Sequence, residues 1–190
     1  MICYYVGIFE LANSTHGVNA ECIANTPDPA NHWQCNMANY TLPHIKSPLF
    51  IMNSLYDSWQ AGCILTAEPV TDPKQNGNCN ASPGFTCQAP WDQSKCSSDD
   101  ISVFDSYGNT LATQIKSGLN NVSSAYINSC FAHVLEDTSI NFGQKVKVNG
   151  NTASEQMGKW WNSDFKSQLF DLDCSLDNTA FKKCNPTCPQ

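Results

Sequence analysis

No arginine occurs anywhere in the 190 residues, and ten lysines face seventeen acidic residues for a net charge of −7. The longest basic run is Lys182-Lys183, which excludes the electrostatic footprint of a nucleic-acid binder. No apolar stretch reaches the ~18 residues that a membrane-spanning helix needs. The opening, Met1-Ile-Cys-Tyr-Tyr-Val-Gly-Ile-Phe9, is apolar but has neither a basic segment nor a cleavage site of the secretory kind. Internal repeats and low-complexity tracts are absent. Histidine is scarce, with four copies: His16, His32, His44 and His133.

Cysteine is abundant. Eleven copies stand beside four sequons, at Asn13, Asn39, Asn80 and Asn121, and both features predict an oxidising, secreted setting with N-glycans. The odd number leaves at least one cysteine without a partner inside the chain. Zinc is the cytosolic alternative for so many thiols. Cys184 and Cys188 with Cys174 upstream give no second close pair and no neighbouring histidine, so four ligands are not assembled. With 41% apolar residues and 20 aromatics, a core forms without relying on disulfides. A secreted composition without a leader predicts that the chain is part of a longer protein.

Residues 3–9 read as a strand and the rest of 1–46 as loops and turns. Residues 47–53 form a compact apolar run bounded by proline and asparagine, which predicts a strand buried on both faces, as in a parallel sheet. A short helix follows at 58–66. Residues 68–100, with four prolines and Cys79, Cys87 and Cys96, read as a disulfide-tied insertion. Ile101, Phe104, Leu111, Ile115 and Leu119 recur at helical spacing, with Asp99-Asp100 ahead of them to suit the helix dipole. Gly108 weakens that helix by about 1 kcal/mol relative to alanine. Residues 124–128 predict a second strand. Thr152-x-x-Glu155 is a capping-box pattern opening a helix that Ala153, Met157, Trp160, Trp161, Phe165 and Leu169 continue. Cys174, Cys184 and Cys188 staple the tail, 171–190. The order of elements predicts an α/β fold with a parallel sheet flanked by helices, whose ligands bind beyond the carboxyl ends of the strands.

Two residues sit just past such ends. Asp57 reads either as a helix N-cap accepting from Trp59 or Gln60, or as a buried acid that orients a histidine. His133, in apolar company, reads either as a satisfied structural residue or as a general base. Acid then histidine, each after a strand, is the second half of the order Ser…Asp…His. The first member is missing: no Gly-x-Ser-x-Gly occurs, and Ser54 and Ser58 read as turn and cap residues. His16, His32 and His44 lie in loop-like stretches and carry no chemical case.

The segment Ser47-Pro-Leu-Phe-Ile-Met-Asn-Ser-Leu-Tyr-Asp-Ser-Trp-Gln60 resembles the strand and acid loop of the pectin acetylesterases, a family that includes Notum-type carboxylesterases. Tyr126-Ile-Asn-Ser-Cys-Phe-Ala-His133 resembles its histidine segment. Trp160-Trp161, Cys174 and Cys184-Asn-Pro-Thr-Cys188 resemble its plant-type C-terminus. Residues 3–9 resemble, more loosely, the strand that follows the nucleophile helix.

The resemblance implies that residues 1–190 are the C-terminal portion of a single α/β-hydrolase-like domain. It makes Asp57 the acid and His133 the base of a triad whose serine lies upstream of Met1. It implies an ester hydrolase acting on an acetylated polysaccharide such as pectin, with no metal or organic cofactor, as a monomer in the cell wall. Val134 stands where plant members have a second cysteine, which implies an unpaired Cys130. Two other readings compete. One is a non-catalytic secreted glycoprotein or glycan-binding remnant; the other is a Notum-like esterase for lipid acyl groups, which needs a deep apolar pocket.

Overall fold

The computed structural model describes residues 2–60, 96–134, 138–162, 168–172 and 185–188. Its centre is a three-stranded parallel sheet in the order β1-β2-β5: β1 Leu49–Tyr56, β2 Ser123–Phe131 and β5 Leu169–Phe170. Helix α5, Ser98–Gly118, covers one face, and α6, Ala153–Trp161, approaches the other. This is the α/β arrangement that the alternation of elements predicts.

β2 is buried over residues 123–130, although its sequence, Ser-Ser-Ala-Tyr-Ile-Asn-Ser-Cys-Phe, is largely polar. Its side chains alternate between two clusters. Ala125 and Ile127 join Leu55, Ile101, Phe104 and Ile115 under α5, while Tyr126 meets Val148 and Ala153 on the opposite face. The polar side chains are tolerated because they are bonded, as buried polar groups must be. Ser123 Oγ donates to Asn120 Oδ1 at 2.8 Å, and Ser129 Oγ donates to Asp171 Oδ2 at 2.6 Å. These partners extend the strand beyond the expected 124–128 at both ends.

Helix α5 begins at a capping box in which the Ser97 hydroxyl accepts from Asp100 N–H and Asp100 Oδ2 accepts from Ser97 N–H, each at 3.2 Å. Its buried stripe is Ile101, Phe104, Gly108, Ala112 and Ile115, with Leu111 and Leu119 packed at its margin. Gly108 has a packing reason. A methyl group there would stand 2.9 Å from Tyr56 Cε1 and 3.6 Å from Leu55 Cβ, so the bare backbone lets α5 lie close on β1.

The N-terminal region departs from expectation. Residues 3–9 lie in a helix, α1 Ile2–Leu11, and not in a strand; their match to a strand following a nucleophile helix falls with it. A short apolar run has no periodicity to separate the two states. Ala12 N–H still bonds to the Ile8 carbonyl at 2.9 Å, and Asn13, at φ 48, turns the chain out in the left-handed conformation. Short helices follow, α2 Ala20–Ala24 and α3 Ala38–Thr41, and the disulfide Cys22–Cys35 ties α2 to the 3-10 helix Pro29–Asn36.

Helix α6 carries the predicted capping box: Thr152 N–H donates to Glu155 Oε2 at 2.7 Å, and Glu155 N–H to Thr152 Oγ1 at 3.2 Å. The Thr152 N–H and then the Thr152 hydroxyl, which also donates to Glu155 Oε2 at 3.1 Å, lower the pKa of that carboxyl, with Lys147 and Lys159 adding to the effect. The helix ends at Trp161, where the Asn162 side chain donates to the Gly158 carbonyl at 2.8 Å. Leu169, expected to continue it, pairs with Tyr126 as part of β5, and Phe165 lies outside the described residues. A two-residue hairpin, β3 Lys147–Val148 and β4 Asn151–Thr152, turns on Asn149 (φ 49) and Gly150 (φ 79), the Asn-Gly signature of a tight reversal.

The insertion reading for 68–100 and the expected end of the 58–66 helix fall largely outside the described residues. So do Cys79, Cys87, Cys174 and Cys184. Cys130, expected to be unpaired, is disulfide-bonded to Cys188. The tail reaches it because Asn185 Nδ2 donates to the Lys147 carbonyl and to Asp171 Oδ2, both at 2.8 Å. Among the described residues no helix is long and apolar enough to cross a membrane.

Three substitutions test this packing. Gly108→Val is expected to destabilise the fold by about 1–3 kcal/mol through overpacking on Tyr56. Gly158→Ala, where a methyl group meets nothing within 4 Å, is expected to stabilise it by up to about 1 kcal/mol. Urea unfolding of both variants reads the difference. Cys188→Ser opens a closed span of 58 residues and is expected to cost about 2–4 kcal/mol in the same assay.

Candidate active site

β1 and β2 run parallel with Leu49 opposite Ser123, and the register slips between Ser54 and Tyr56 so that Tyr56 faces Phe131. At the slip Ser54 is buried, and its hydroxyl donates to the Cys130 carbonyl. Ser54 is thus a strand residue, not the expected turn residue, because β1 continues through Tyr56. Both strands end at the same sheet edge. Asp57 follows one and His133 follows the other.

The two side chains meet there. His133 Nδ1 lies 2.8 Å from Asp57 Oδ2. A carboxylate oxygen accepts and the ring nitrogen donates, so this contact selects the Nδ1–H tautomer and leaves Nε2 with its lone pair. Asp57 is buried, with 4% of its side chain exposed, whereas the imidazole is 45% exposed. The carboxylate is held inside and the imidazole is presented outward.

Asp57 also satisfies the bland sequence reading. Its other oxygen, Oδ1, accepts Gln60 N–H at 2.8 Å and caps the single turn α4, Ser58–Gln60. Capping and histidine contact are not alternatives, because a carboxylate has an oxygen for each. The Ser58 N–H donates to the Ala132 carbonyl at 3.3 Å, lacing the acid loop to the histidine segment. Beyond His133, Val134 has φ 44, a left-handed backbone that a β-branched residue seldom adopts.

Two neighbours were not legible in sequence. Tyr107, on α5, donates its hydroxyl to Gln60 Oε1 and so clamps the acid loop from the helix. Burial, and then the nearby Asp57 charge, push its pKa up to about 12, so it stays a donor across the physiological range. Trp59 stacks on the His133 ring, with centroids 5.9 Å apart and planes 29° apart. The contact from Tyr107 spans 47 residues, and local patterns carry no sign of it.

The remaining sequence-predicted residues lie elsewhere. Asn13, Asn39 and Asn121 are exposed, and Asn80 falls outside the described residues. Among the described residues no group of three or more His, Cys, Asp or Glu side chains is placed to hold a metal ion.

A sequence profile described as pectinacetylesterase matches residues 1–189. Among curated proteins, the chain is 24% identical over 189 residues to pectin acetylesterase 7 of Arabidopsis thaliana, covering 98% of this chain and 43% of that protein. It is 26% identical over 194 residues to pectin acetylesterase 11 and 22% identical over 191 residues to pectin acetylesterase 5 of the same plant, covering 43% and 40% of them. The chain therefore spans about two-fifths of the length of these relatives. No solved structure gives a significant match. With the profile spanning nearly every residue, the chain belongs to the pectinacetylesterase family.

Proposed function

We propose that the chain supplies the acid and base of a serine carboxylesterase that removes acetyl groups from a cell-wall polysaccharide such as pectin. The observation that carries this reading is the 2.8 Å contact between His133 Nδ1 and buried Asp57, at the carboxyl ends of adjacent parallel strands. The names of the relatives support the substrate class. In this reading the nucleophilic serine comes from sequence preceding Met1, in a Gly-x-Ser-x-Gly elbow.

The chemistry follows the acyl-transfer template. His133 Nε2 takes the serine proton as the serine oxygen attacks the acetyl carbonyl, and the tetrahedral oxyanion forms. His133 then returns the proton to the departing sugar oxygen, and the acyl-enzyme remains. Water, deprotonated by the same nitrogen, releases acetate and restores the serine. Asp57 holds the imidazole in the Nδ1–H tautomer and stabilises its positive form. None of these steps draws on a metal or organic cofactor.

A secreted location belongs to the same proposal. The disulfides Cys22–Cys35 and Cys130–Cys188 suit an oxidising compartment, and the exposed amides of Asn13, Asn39 and Asn121 are accessible for glycosylation.

In the protein carrying its serine, His133→Ala and Asp57→Asn are each expected to lower kcat for an acetyl ester by about a thousandfold to ten-thousandfold. Their circular dichroism should match that of the wild type. Wild-type turnover by a folded His133→Ala variant would falsify the assignment. An intact wild-type fold without any turnover would favour the non-catalytic glycoprotein reading.

A further inference from the structure

Trp59 stands on the one helical turn between the acid and Gln60. That turn is fixed at three points: Gln60 N–H on Asp57 Oδ1, Ser58 N–H on the Ala132 carbonyl, and the Tyr107 hydroxyl on the Gln60 side chain. The indole is therefore carried on a rigid mount. It lies against the His133 imidazole, yet 49% of Trp59 is exposed. The aromatic residues that serve the core behave otherwise: Phe104 and Tyr126 are 0% exposed. About half of Trp59, beside the imidazole, is therefore accessible to a ligand.

We infer that Trp59 is a substrate platform: its indole receives the face of a pyranose ring and so sets the ring's acyl ester over His133. One face of a pyranose presents C–H groups, which are apolar and slightly positive. The face of an indole is apolar and negative, so the two attract when stacked. An open, flat, rigid aromatic surface suits a sugar ring. A lipid chain is better served by an enclosed apolar trough. Trp59 is then a specificity-determining residue, because it acts on the part of the substrate that does not react. This inference rests on the esterase reading above and names the group by which the site would select its ester.

The test compares Trp59→Ala and Trp59→Phe with the wild type, in the complete protein, on two esters: an acetylated oligogalacturonide and an aryl acetate that has no sugar ring. The ratio of kcat/KM for the oligosaccharide to kcat/KM for the aryl ester should fall about fivefold to tenfold in Trp59→Ala, mostly through KM, and much less in Trp59→Phe. An equal fall on both esters would mean that Trp59 only positions the imidazole, and the platform would be withdrawn. No fall on either ester would withdraw it as well. Saturation-transfer NMR with the deacetylated oligogalacturonide separates the two layers of the argument. If the wild type hydrolyses neither ester but binds the oligosaccharide through Trp59, the esterase reading fails and the platform stands. If the wild type shows no transfer to the sugar, or Trp59→Ala shows as much, the platform fails whatever the activity.

Discussion

The parallel pairing of β1 with β2 is the constraint on which the rest depends. Parallel strands end at the same edge of a sheet, so whatever follows each of them is delivered to one place. Here Asp57 comes one residue after β1 and His133 two residues after β2. The register slip at Ser54, with that hydroxyl bonded to the Cys130 carbonyl, sets the final offset between the two ends. Helix α5 seals one face of the pair through Phe104 and Ile115. Tyr126 and Val148, with Ala153 of α6, seal the other.

Polar groups inside this frame act as ties. Ser129 of the buried strand bonds to Asp171 beyond β5, and Asp171 in turn accepts from Asn185 of the tail. Three segments distant in sequence meet at one carboxylate oxygen, next to the disulfide that joins Cys130 to Cys188. Cys130 is three residues ahead of His133. The histidine segment is thus anchored covalently on one side and carries the left-handed Val134 on the other.

Much of this was legible in sequence, for stated physical reasons. β1 announced itself as an apolar run between breakers, α5 through helical spacing behind two acidic residues, and α6 through its capping box. The order of acid and histidine pointed to Asp57 and His133 before any distance was known. Other features were hidden. β2 read short because Ser123 and Ser129 look like loop residues until their partners are seen. Residues 3–9 read as a strand because an apolar run of that length fits either state. Tyr107, Asp171 and the Cys130–Cys188 bond are non-local, and periodicity carries no information about them. The hairpin at Asn149-Gly150 did have a local signature that sequence reading overlooked.

Asp57 and His133 are 76 positions apart, yet they touch. The entropy of closing so long a span rises only with the logarithm of its length, by roughly 0.6 kcal/mol for each doubling. Outside helix α5, whose buried face the core needs, the stretch between the two strands can therefore lengthen or shorten at little entropic cost, while the strand ends keep the two side chains in register. The Asp57–His133 contact and the surface around it become separable evolutionary variables: one is held by the sheet, and the other is free to be rewritten.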